Sequence, residues 1–168
     1  AGGLASKNTV TTSTTDAGGE ATVFMKAEFA GLANVSASTV GSLLLQAQKV
    51  VEFVATVPVG PLEVQAFPAQ LGVGEKAIVQ AIVRDKDNNP VKNQQVAFSL
   101  IDAAGGQLSP ATAVTNSQGI ASTEFLADAT TPGGGTTGQP KGLKISASLV
   151  TNSAISGSTS VAVGNRTL

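Results

Sequence analysis

The stretch from Ala77 to Leu100 limits the chain more than any other. Ala77, Val79, Ala81 and Val83 recur at every second position, and so do Val96, Phe98 and Leu100. A period of two places each set on one face of an extended strand. Between the two runs stands a tight polar turn, Asp85-Lys-Asp-Asn-Asn-Pro90, with proline closing the connection. Two strands joined in this way make one corner of an antiparallel β-sandwich.

The same alternation continues downstream. Leu62 and Val64 start a first strand that Pro68 interrupts, as an edge strand tolerates. After a glycine-rich turn a short strand passes near Ala113. Ala121, Thr123 and Phe125 then line a strand that begins after Gly119, Ile145, Ala147 and Leu149 line the next, and Val161 and Val163 the last. Seven short strands separated by turn signals predict an all-β chain folded as an immunoglobulin-like antiparallel β-sandwich. Antibody domains carry a Cys–Trp–Cys core, and this chain has no Cys and no Trp. Composition agrees with an all-β reading, since Leu, Glu, Lys and Arg are sparse and 19 Gly and 7 Pro are spread between the runs.

Residues 104–164 have a counterpart in residues 1–57. Ala1-Gly2-Gly3 matches Ala104-Gly105-Gly106, Thr15-Asp16 matches Thr115-Asn116, Gly19 matches Gly119, Ala21 matches Ala121, and Met25 matches Phe125. Ser36-Ala37-Ser38 then matches Ser146-Ala147-Ser148, and Val51 and Phe53 fall on Val161 and Val163. Between Phe125 and Ser146 the second copy carries about ten extra residues, Thr130–Gln139, in a loop insertion extending to Lys141. A repeat at this spacing means a tandem arrangement of domains. The expected organisation is therefore residues 1–57 as the back four strands of a domain without its front strands, 58–61 (Pro-Val-Gly-Pro) as a short stiff linker, and 62–168 as a complete domain.

Val23, Met25, Val35, Val51 and Phe53 should point inward in the first copy. Full burial of each is worth roughly 1.5–3 kcal/mol, so leaving all five uncovered forgoes ~7–15 kcal/mol, as much as a whole domain's stability. These residues are expected to pack against missing strands, a second chain completing residues 1–57, or the neighbouring domain. Gly41–Ala55 also reads as a helix by its apolar content, and the aligned repeat favours a strand.

Two motifs carry a family resemblance. V-x-D-x-x-x-N-P-V-x-x-x-x-V-x-F-S spans Val83, Asp85, Asn89, Pro90, Val91, Val96, Phe98 and Ser99, and T-[ND]-x-x-G-x-A-[ST] occurs twice, at Thr15–Thr22 and Thr115–Ser122. Together they resemble the bacterial Ig-like group one domains of the intimin and invasin adhesins. The resemblance implies sandwich modules strung outward from a bacterial outer membrane in cell adhesion and virulence. Neighbouring Ig-like domains of the same polypeptide would be the first partners, and a host receptor would be met by a distal tip. Residues 130–141 are the departure from the pattern, and a binding module in its own right would use that loop. An accessory domain of a secreted enzyme is a third reading.

Candidate chemistry is thin. Without His, Cys, Trp or Tyr the chain offers no Ser–His or Cys–His catalysis and none of the usual zinc sites. No catalytic residue, metal ligand or cofactor is expected. Asp85, Asp87 and Asn89 imitate the first half of a calcium loop, but Pro90 and Val96 stand where glycine and a bidentate carboxylate belong, which favours a turn. Gly133–Gly138 spells G-x-G-x-x-G between Pro132 and Pro140, where it opens no helix and reads as a flexible loop. Glu124 and Asp128 read as an exposed strand edge, not a hydrolase dyad. Asn34-Val-Ser36 and Asn165-Arg-Thr167 are glycosylation sequons by spelling alone. Six Phe, mostly at inward positions, leave little for stacking on sugar, and Ile78 and Ile82, opposite the core set, read as cover for an interdomain contact or as ordinary surface apolar residues.

A net charge of −1 with 12% charged residues gives no basic patch for nucleic acid. No apolar run reaches the ~20 residues of a membrane span. The most apolar stretch, Val40–Val59, is broken by Gln46, Gln48, Lys49 and Glu52, so this segment is not membrane-inserted by a helix. No export signal is present either, and an exported protein would carry its signal, and its anchor, outside this chain.

Overall fold

A computed structural model describes residues 11–27, 29–41, 45–101, 105–128, 131 and 143–164. Two strands come first, β1 (Gly31–Ser38) and β2 (Gln46–Phe53), paired as an antiparallel hairpin. Nine more follow: β3 (Val59–Phe67), β4 (Gln70–Leu71), β5 (Lys76–Arg84), β6 (Gln95–Leu100), β7 (Gln107–Ser109), β8 (Thr112–Val114), β9 (Ile120–Leu126), β10 (Leu143–Leu149) and β11 (Ser156–Val163). They form two sheets, in the orders β3-β5-β9-β7 and β4-β11-β10-β6-β8. All the ladders are antiparallel except that of β4 with β11.

The two sheets face each other across the core that alternation predicts. Ala77, Val79, Ala81 and Val83 of β5, Val96 and Phe98 of β6, Ala121 and Phe125 of β9, Ile145, Ala147 and Leu149 of β10, and Val161 and Val163 of β11 are all buried in one cluster. Leu100 is partly buried against it. The expected single first strand is two elements. Chain direction breaks at Pro68, and the chain crosses from the β5 sheet, as β3, to the β11 sheet, as β4. Gln70–Leu71 thereby shields an edge of the second sheet.

Other expectations need correcting. Within the segment 58–61, expected as a short stiff linker, β3 already begins at Val59 and pairs there with Arg84. The register then shifts before Glu63, which absorbs Gly60 and Pro61 into an irregular strand start. Of four strands expected in residues 1–57, two are formed among the described residues. The stretch matching β9, around Ala21–Met25, is not a strand. The physical reason is that β9 is held on both edges, by β5 and β7, and among the described residues no strand flanks 21–25. Residues 46–53 are strand and not helix. Phe98 and Phe125 are buried, but Phe24, Phe29 and Phe67 are exposed, so the phenylalanines are not mostly inward.

The corner at Asp85–Pro90 is built by one carboxylate. Asp85 Oδ1 accepts from the backbone N–H groups of Asp87 (2.9 Å) and Asn89 (2.8 Å), and Oδ2 accepts from the Asn89 side chain at 3.1 Å. Asn88 takes the left-handed conformation, φ 66°, that lets the chain reverse. Beside this corner lies a second turn, Asn116–Gly119. Gly119 sits at φ +73°, and a Cβ there would lie 2.5 Å from the Val83 carbonyl oxygen and 3.1 Å from Pro90. Only glycine lets the turn approach that closely. Thr115 is buried, donates its hydroxyl to the Val91 carbonyl at 2.7 Å, and accepts from the Gln94 N–H at 2.9 Å. The two sequence motifs are thus one physical unit, the corner and the turn that clamps it.

Gly119→Ala should destabilise the sandwich by at least about 2 kcal/mol, the sum of left-handed strain and displaced backbone. Gly74→Ala, at φ +83° in open space, should cost only about 1 kcal/mol; equal urea midpoints for the two variants would contradict the clamp. Burial pushes the Asp85 carboxyl up, but the Asn89 side chain and the N–H groups of Asn89 and Asp87 outweigh it and hold the pKa below the usual range. Its contribution is therefore full above the unfolded-state pKa and is lost as pH falls through the folded value. Asp85→Ala should cost about 1–3 kcal/mol at neutral pH and Asp85→Asn clearly less, with the difference shrinking in acid, as read by thermal melts.

Candidate functional site

The candidate site is the pole at which the chain enters the sandwich. After β2 the backbone runs extended, and Ala55 forms a parallel bridge with Val91, packing against the core. Lys92 reaches Glu52 of β2 at 2.7 Å, with both side chains about one third exposed. Hydrogen bonds from Lys92 and then from Ser117, in the clamping turn, lower the Glu52 pKa. The corner and turn that close the sandwich therefore also hold the segment that precedes it. Sequence reasoning placed Asp85, Asn89, Pro90 and Gly119 here; it missed Glu52, Lys92 and Ser117, because ordinary surface charges carry no periodic signal.

The turn and the hairpin of the first copy repeat those of the second in detail. Asp16 Oδ1 accepts from the N–H groups of Gly18 and Glu20, as Asn116 Oδ1 does from Gln118 and Ile120. Gly19 stands at φ +80° where Gly119 stands at +73°. In the hairpins, Ala33 faces Val51 and Ala37 faces Ala47, while Leu143 faces Val161 and Ala147 faces Gly157. Each of these pairs differs from its counterpart by 110 residues on both strands, so the registers coincide.

Burial does not repeat. Met25 is 47% exposed and Val23 48%, whereas Phe125 is 0% exposed and Thr123 3%. Val35, Val51 and Phe53 are only half-buried, against full burial of Ile145, Val161 and Val163. Among the described residues, none before Leu62 is buried.

The other sequence candidates separate on inspection. Asp85 spends its oxygens on its own turn, and Asp87 pairs with Lys86 at 2.7 Å, so the calcium-like spelling is a hairpin corner. Glu124 forms an exposed ion pair with Lys76 across β9 and β5, and Asp128 accepts from the Gly106 N–H and bonds Thr131. They serve separate local structures. Ile78 is 53% exposed and faces Phe67 across β3, near the far pole, so it does not cover the junction; Ile82 is half-buried. Asn34 lies exposed on β1. Ala1–Gly3, Gly133–Gly138, Asn165 and the 130–141 insertion, apart from Thr131, lie outside the described residues. Thr131 itself is buried. Among the described residues no helix is long and apolar enough to cross a membrane.

Comparison with known proteins places these features. No curated protein matches the chain. Among solved structures, the D0-D1 domain of intimin is similar at 25% identity and a TM-score of 0.48, covering 83% of this chain and 66% of that one. The Yersinia pseudotuberculosis adhesin InvE is similar at 12% identity and a TM-score of 0.47, covering 89% of this chain and 51% of that one. Domains 4 and 5 of the S-layer protein SbsC are similar at 15% identity and a TM-score of 0.42, with 87% and 83% covered. The chain thus spans about two thirds of the intimin structure and about half of the InvE structure. The family model for the bacterial Ig-like domain (group 1) matches residues 74–163, more than half of the 168. The sandwich, its clamped corner and this match agree: the chain belongs to the bacterial Ig-like (group 1) domain family.

Proposed function

We propose that the chain is a spacer segment of a bacterial cell-surface adhesin, non-enzymatic, extracellular, and anchored in the outer membrane by a part of the protein outside residues 1–168. Its role is mechanical: it holds a distal binding tip away from the cell. On this reading residues 1–57 are the C-terminal part of one Ig-like domain and the sandwich that follows is the next, in tandem.

One observation carries the reading. The chain enters the sandwich at Val59, beside Arg84 at one end of β5, and leaves at Val163, beside Leu71 near the other end. Nine residues of β5 at about 3.3 Å each separate the two points by roughly 25–30 Å, so each module adds length. The entry point is also pinned, by the Ala55–Val91 bridge and the Glu52–Lys92 pair, which favours a semi-rigid rod over a loose string. The InvE structure is named as an adhesin; that function reaches this chain only through the proposal.

In the surface protein that carries this segment, replacing residues 59–164 with an unrelated sandwich of equal length should preserve adhesion, and deleting them should reduce it. Adhesion restored only by the native sequence would overturn the spacer reading. Removing residues 131–139 should leave cell binding unchanged; loss of binding would favour the loop-based module instead. Lys92→Met should broaden the distances measured by electron spin resonance between labels at Ser38 and Ser109, which are introduced cleanly into a chain without Cys. Because the Glu52 pKa is lowered, the native junction should hold at neutral pH and loosen only as pH falls through that lowered value. A spread unchanged by the substitution would show that the ion pair does not stiffen the junction.

A further inference from the structure

The first and last segments of the sandwich run side by side in the same direction. Their ladder, β4 on β11, is the one parallel ladder among the described strands, with Gln70 opposite Ala162 and Leu71 opposite Val163. We propose that this ladder is a load-bearing clamp: tension between the points of entry and exit loads its hydrogen bonds in shear, and they set the force at which the sandwich opens. The use of such a clamp rests on the spacer reading above, but its existence is a property of the fold, and the test below separates the two.

The direction of loading follows from the topology. The chain enters at Val59, opposite Arg84, and leaves at Val163, beside Leu71. Near the start of both segments β3 lies on β11, where a Cβ on Gly157 would be 2.0 Å from the Leu62 carbonyl oxygen. At their ends Leu71 and Val163 are paired. A pull that draws the entry outward therefore drags β3 and β4 backwards along β11, while the exit draws β11 forwards. The two segments have to slide past each other, so the bonds that join them stretch together instead of parting one at a time.

Three features resist that sliding. The Ala162 N–H donates to the Ala69 carbonyl at 2.8 Å, and the Gly164 N–H donates to the Leu71 carbonyl at 2.9 Å. Leu71 and Val163 are buried, so the core backs the ladder on one side and water does not compete for its bonds from there. The break at Pro68 adds the third: by changing sheets, one continuous segment is bonded to β5 through β3 and to β11 through β4. It cannot slip unless both ladders yield. Resistance of this kind is a rate of opening along the pulled direction, and it is separable from overall stability.

The chain has no Cys, so two introduced cysteines define the pulling axis in residues 1–168. Val57→Cys with Gly164→Cys pulls entry against exit and shears the ladder. Val73→Cys with Gly164→Cys grips β4 and β11 at the same pole and peels them apart. Val57 and Val73 are exposed, and a Cβ at residue 164 meets nothing within 4 Å. In an optical trap at one loading rate, the first pair should open at a severalfold higher force than the second. Ala162→Pro, which removes the donor to Ala69, should bring the shearing force down towards the peeling force. Asp85→Ala, which weakens the corner without touching the ladder, should lower the thermal midpoint and leave the shearing force nearly unchanged. Equal forces along the two axes would overturn the clamp, as would a shearing force that falls as far with Asp85→Ala as with Ala162→Pro. The comparison of axes uses an intact ladder, so it decides the question even if Ala162→Pro does not fold. None of these results bears on the spacer reading, which the module-exchange experiment tests separately.

Discussion

The hydrogen bond from the Thr115 hydroxyl to the Val91 carbonyl, with Gly119 pressed against Val83 beside it, is the contact on which the sandwich depends. It ties the turn before β9 to the corner after β5 and so fixes where the two sheets meet at one pole. Both partners are buried, and a buried hydroxyl or carbonyl left unpaired costs far more than the pair contributes. The arrangement is therefore selective: a strand misplaced by one residue would strand these groups and turn every apolar side chain to solvent. The core supplies the driving force, and this polar contact supplies the register.

Much of this was legible in the sequence, for a stated reason. Strands with one buried face announce themselves by alternation, and Ala77–Val83, Val96–Leu100, Ala121–Phe125 and Ile145–Leu149 all did. Asp85, Asn89 and Pro90 were legible because turn chemistry needs those residue types. What was not legible depends on partners distant in sequence. Val59 joins the sheet because Arg84 lies across from it, which no local pattern records. The division of the first strand at Pro68 into two sheets was visible only as an interruption. Residues 21–25 have the spelling of β9 and remain outside any sheet, because a strand exists only with a neighbour. Pattern told what these residues are suited to pair with, and not whether the pairing strand is there.

The junction follows the same logic at the next level. Glu52, Lys92 and Ser117 are unremarkable as surface residues, and their meaning comes from the fold bringing the corner, the turn and β2 to one pole. Because the corner that closes the sandwich also holds the preceding segment, internal order and inter-module geometry are coupled. A change that loosens the corner should also loosen the joint. In the spacer role proposed above, stiffness would then depend on domain integrity and not on a separate interface.

Amide hydrogen exchange on residues 1–168 tests the account most directly, because it compares two hairpins of one register in one molecule. With β10 and β11 closed into a core and β1 and β2 open, amides in Leu143–Leu149 and Ser156–Val163 should exchange only through global unfolding. Those paired between Gly31–Ser38 and Gln46–Phe53 should exchange orders of magnitude faster, through local opening. Equal protection of the two hairpins would contradict the contrast in burial between them.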